Sequence, residues 1–61
     1  MKVGDLIRPM LDPEGFNPRA IVLEIKEIPG RLALYAEVKF FHLPLPSTVY
    51  MPNYEVISES R

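Results

Sequence analysis

Seven prolines and three glycines in 61 residues cut this chain into short pieces, of which residues 31–43 and 19–28 are the two longest without one. Proline lacks a backbone N–H and its ring clashes with the preceding helical turn, so long helices are ruled out and short strands joined by turns are favoured. The two long runs carry a period of two. In residues 20–28, Ile21, Leu23 and Ile25 alternate with Val22, Glu24 and Lys26. In residues 32–41, Leu32, Leu34, Ala36, Val38 and Phe40 alternate with Tyr35, Glu37, Lys39 and Phe41. Alternation of this kind gives a strand one wet and one dry face.

Shorter runs supply the other strands. Residues 3–8 form the first, with Val3 and Ile7 on one face and Pro9 ending it; residues 48–51 and 54–57 form the fourth and fifth, separated by Pro52-Asn53 as a 3₁₀ turn. Residues 10–18 hold Asp12-Pro13-Glu14-Gly15 and Asn17-Pro18, the marks of a long loop. Ile28-Pro29-Gly30-Arg31 has proline and glycine at the second and third positions, the pattern of a type II turn, and predicts a central hairpin. The expected fold is all-β, a five-stranded SH3-like small barrel with one 3₁₀ turn before the last strand, whose closure hides the sheet edges. It occupies residues 1–61 as one domain, with 58–61 as a frayed tail. The predicted core is Val3, Ile7, Ile21, Leu23, Ile25, Leu34, Ala36, Val38, Phe40, Val56 and Ile57.

A chain of this size has a thin core, and without cysteine it cannot add a disulfide; good packing or association must compensate. Seven basic and eight acidic residues give a net charge of -1, so no strong field draws the chain to phosphate or anionic lipid. The proline-broken segment 42–54 is too short to span a bilayer, and Met1-Lys2-Val3-Gly4-Asp5 is not followed by the apolar run of a leader. A cytoplasmic or particle-associated protein without a membrane partner is expected.

Four strings, Lys2-Val3-Gly4-Asp5-Leu6-Ile7-Arg8, Ala20-Ile21-Val22-Leu23-Glu24-Ile25, Glu37-Val38-Lys39-Phe40 and Tyr54-Glu55-Val56-Ile57-Ser58-Glu59-Ser60, together resemble the small SH3-like proteins of tailed bacteriophages, notably those of cyanobacteria. The resemblance spans most of the chain and implies the barrel. It transfers no activity and no binding residues. The chain departs from that pattern at Phe40-Phe41-His42, where such barrels often carry tryptophan, and at residues 43–51, which are unusually apolar and proline-rich. Ala33-Leu34-Tyr35 and Met51-Pro52-Asn53-Tyr54 echo eukaryotic SH3 peptide-binding motifs. In those domains, however, the first motif opens the fold, and the groove needs a tryptophan that is missing here.

Catalysis needs several reactive groups in one place, and the chain offers one histidine, no cysteine and serines only at 47, 58 and 60. His42 alone with scattered carboxylates does not make a zinc site. No enzyme, cofactor, metal or small-molecule substrate is expected. A nucleic-acid alternative would use Tyr35, Lys39 and Phe41 on one sheet face to stack bases and neutralise phosphate, against the opposition of Glu37 on the same face. The favoured expectation rests on apolar excess. Phe41, Leu43, Leu45, Val49, Tyr50 and Met51 exceed what a loop needs for itself, and Pro44, Pro46 and Pro52 stiffen the segment for docking to a protein, either a second copy or another component.

Overall fold

The computed structural model describes residues 1–26, 30 and 34–58. Its elements run in chain order β1 (Leu6–Pro9), β2 (Ala20–Lys26), β3 (Tyr35–Phe40), β4 (Ser47–Tyr50), a 3₁₀ turn (Met51–Asn53) and β5 (Tyr54–Ser58). All five strands join one antiparallel sheet in the order β4-β3-β2-β1-β5. The all-β class and the 3₁₀ turn before the last strand are as expected. Closure is not: among the described residues no ladder joins β4 to β5. The expected 28–31 turn lies outside the described residues except for Gly30, whose φ of 80° suits the third position of a type II turn.

The open sheet is nevertheless strongly curled. In a flat five-stranded sheet the two edges would lie about 19 Å apart. Yet β4 ends at Tyr50 and β5 starts at Tyr54, a span that extended chain covers to at most ~14 Å. The 3₁₀ turn therefore bridges edges that curvature has brought close. It is fastened at both ends: the Met51 N–H donates to the Leu34 carbonyl (2.8 Å), and the Met10 N–H donates to the Asn53 carbonyl (2.9 Å).

Two ladder irregularities accompany the curvature, one between β1 and β5 at Leu6/Ile7 and one in β2. Val22 faces Val38, but the next pair is Glu24 with Glu37, so Leu23 is an extra residue with no partner on β3, a β-bulge. The bulge reverses the inward parity of the strand. Ala20 and Val22 are buried before it and Ile25 packs against the core after it, whereas Leu23 is 41% exposed. The alternation of Ile21, Leu23 and Ile25 suggested one inward face; in fact Ile21 is only half-buried and Leu23 points outward. The bulge also divides the pairing, because β1 meets β2 at Ala20 and Ile21 while β4 lies beside the stretch of β3 that pairs with residues 22–26.

The core consists of Ile7, Ala20, Val22, Ala36, Val38, Phe40 and Val49, with Ile25, Met51, Tyr54 and Val56 packed against it. β3 contributes its expected face of Ala36, Val38 and Phe40. Val3 and Leu34, expected inside, are exposed because each lies just outside a strand: residues 2–5 form a tight turn, and β3 starts at Tyr35. In that turn the buried Asp5 carboxylate accepts the Lys2 N–H (2.8 Å), while the Asp5 carbonyl accepts the Val22 N–H (3.0 Å). The carboxylate thus sits inside because it organises the backbone around it.

Candidate interaction surface

Antiparallel pairing brings two loops to one end of the sheet. β1 ends where β2 begins, and β3 ends where β4 begins, so residues 10–19 and 41–46 are neighbours. The Phe41 N–H donates to the Arg19 carbonyl (3.0 Å), and the Phe16 ring lies 5.0 Å from that of His42, which in turn meets Phe40 at 5.6 Å. Aromatic contacts of this kind tie the first loop to the second and both to the core.

Each loop is internally organised. In the first, the Asp12 carbonyl accepts the Gly15 N–H and its carboxylate accepts the N–H of Asn17, which takes a positive φ of 55°. That side-chain acceptor favours the left-handed conformation asparagine tolerates. In the second, the Leu43 N–H closes a turn on the Phe40 carbonyl (3.2 Å). The Lys39 ammonium donates to the carbonyls of both Phe40 and Leu43, so it clamps the same turn.

This end of the molecule is conspicuously apolar. Leu11 is 88% exposed, Leu45 71%, Phe16 63%, Phe41 61%, Met10 54% and Leu43 39%. Beside them lies an open groove of about 310 Å³ lined by Pro9, Met10, Leu11, Asn53 and Tyr54. A more polar hollow adjoins it, with Arg8, Asp12, Asn17 and Glu55 in its walls and an Arg8–Glu55 ion pair across the β1–β5 ladder.

The structure divides the expected protein-binding residues. Phe41, Leu43 and Leu45 stand together in the exposed turn. Val49 does not belong with them: it is 8% exposed and part of the core, since it pairs with Ala36 on the inward face of β3. Met51 packs against the same core. Tyr50 lies at the far end of β4, where its ring meets that of its cross-strand partner Tyr35 at 5.5 Å. Alternation within β4 sends Val49 inward and Tyr50 outward, a distinction lost when the whole segment is read as one patch.

The residues of the nucleic-acid alternative do not converge either. Tyr35 and Lys39 occupy opposite ends of β3 with Glu37 between them, and Glu37 takes an ion pair from Lys26 at 3.4 Å. Phe41 lies beyond the strand, and Lys39 is directed to carbonyl groups of its own chain. Met10, Leu11 and Phe16 join the surface beyond the residues expected from sequence. Their signal is three large apolar side chains in a loop whose turn residues leave no periodic face to bury them. Among the described residues no three histidine, aspartate or glutamate side chains gather as a metal site would require. In comparisons with known families, curated proteins and solved structures, nothing matches this chain.

Proposed function

We propose that this chain is a small SH3-like accessory barrel of the bacteriophage type that works as a protein-interaction module, docking through the loop end of its sheet. The strand order β5-β1-β2-β3-β4, the bulged and shared β2 and the 3₁₀ turn before β5 support the SH3-like reading. The observation that carries the function is the exposure of Phe41, Leu43 and Leu45 beside Met10, Leu11 and Phe16. Taking ~200 Å² for a fully exposed large side chain, these six together leave roughly 750 Å² of largely apolar surface in water, where the largest single patch on a typical monomer is ~300–600 Å². The module acts within the host cell or on the particle.

Leu45→Ser and Phe41→Ser test this. Association with the protein partner, followed by light scattering and by comparative pull-down against the unaltered chain, should fall while circular dichroism stays unchanged. Loss of the folded spectrum in these variants would identify the two side chains as a cap on the core and remove the interaction reading.

A further inference from the structure

We infer that the occupant of this surface is a second copy of the chain, joined by two-fold symmetry, with residues 43–46 of each copy seated in the groove of the other. The inference rests on the reading of the loop end as a docking surface and names what docks there.

Three observations carry it. First, the molecule holds both a ridge and a fitting hollow at one end. Leu43-Pro44-Leu45-Pro46 is exposed throughout. Proline fixes its own φ and drives the preceding residue to extended conformations, so the ridge has little freedom left to lose on docking. The groove of Pro9, Met10, Leu11, Asn53 and Tyr54 is open and more apolar than polar. It is linked to the ridge through Phe40, whose ring meets His42 at 5.6 Å and Tyr54 at 6.3 Å. An isologous interface needs both complementary parts on one patch, because each copy must give and receive the same contact.

Second, the area is of the right order. The six apolar side chains at this end together leave roughly 750 Å² accessible on each copy, against the ~800 Å² per partner that a stable, specific interface buries. Third, the ridge is uncharged. Residues 40–54 contain no aspartate, glutamate, lysine or arginine, so the ridge of one copy brings no like charge to the groove of the other, whose nearby charges, Arg8, Asp12 and Glu55, line the adjoining hollow. The core supplies a motive as well: among the described residues its seven buried apolar side chains include two alanines, and domains of this size commonly gain stability by association.

The test is the mass of the purified full-length chain by sedimentation and light scattering from about 10 µM to about 1 mM, a range that brackets weak and moderate dimers. A species of twice 7.0 kDa should appear and grow with concentration. Leu45→Asp on the ridge and, separately, Leu11→Lys in the groove should each weaken dimerisation roughly tenfold or more. Mixing the two variants should restore part of it, because the aspartate ridge then meets the lysine groove. A chain that stays monomeric throughout overturns the inference while leaving docking to another protein intact. A dimer that survives both substitutions overturns it too, by placing the contact elsewhere. Unfolding of both variants, checked by circular dichroism, overturns this inference and the docking surface together.

Discussion

The inward face of the sheet and its loop end are two apolar collections of similar make-up with opposite fates. Ile7, Val22, Val38 and Phe40 are buried; Leu11, Phe16, Phe41 and Leu45 are mostly in water. The difference is not hydrophobicity. It is whether the backbone can place the side chains on one face. In β3, strict alternation puts Ala36, Val38 and Phe40 on the same side, whereas prolines and turns around 10–18 and 41–46 deny the loops any such period. Apolar side chains outside a periodic element remain available to another surface.

The sharpest way to break the contrast is at the residue that joins the two regions. Phe40 is buried, closes β3 and makes ring contacts to Tyr54 and His42. Truncation would leave a cavity under the loop end, and Phe40→Ala should cost about 3–4 kcal/mol, a large part of what a domain this small possesses. Urea or thermal unfolding monitored by circular dichroism would measure it. A loss below about 1 kcal/mol would show that the loop end, not the inner face, holds the molecule together.

A second pair of substitutions turns on the bulge. Val22→Ser places a hydroxyl in the core where a buried valine was, and should cost about 2–3 kcal/mol. Leu23→Ser alters a half-exposed residue with no partner across the ladder, and should cost less than about 1 kcal/mol. Were Ile21, Leu23 and Ile25 the inward face throughout, the ranking would reverse. Here lies the limit of what the sequence made legible. The strands, their number, the 3₁₀ turn and the inner face of β3 follow from period-two patterning and proline placement. The parity of β2 does not, because a bulge inserts one residue without any mark in the composition, and Val22 and Leu23 are equally at home on either face. Phe41, Leu43 and Leu45 read as surface and are exposed, whereas Val49 reads with them yet lies inside, because alternation in β4 turns it towards Ala36. Whether the sheet would bring residues 10–16 beside 41–46 depends on pairing between distant strands, which local patterning does not encode.

Lys39 tests how the boundary is maintained. Its stem belongs to β3, and its ammonium clamps the turn by donating to the Phe40 and Leu43 carbonyls. Lys39→Met keeps the stem and removes both donors, so stability should fall by about 1 kcal/mol, within the range of partly exposed charge-assisted hydrogen bonds. Binding to single-stranded nucleic acid, titrated at low salt, should not change between the two forms. A salt-sensitive loss of such binding in the variant would instead favour a sheet face of Tyr35, Lys39 and Phe41 that contacts phosphate.

The smallest expected effect on folding belongs to the most exposed apolar side chain. Leu11 is 88% exposed, so folding removes almost none of its area from water, and Leu11→Ser should shift stability by less than about 0.5 kcal/mol in either direction at concentrations where the chain is monomeric. The same substitution should weaken self-association, because the groove of which Leu11 is a wall loses apolar surface only when another molecule would have covered it. Folding and association therefore rank the residues in opposite order: Phe40 matters most to the first and Leu11 to the second. Equal losses in both measurements for Leu11→Ser would mean that the loop end is an extension of the core, and the contrast between the two regions would be gone.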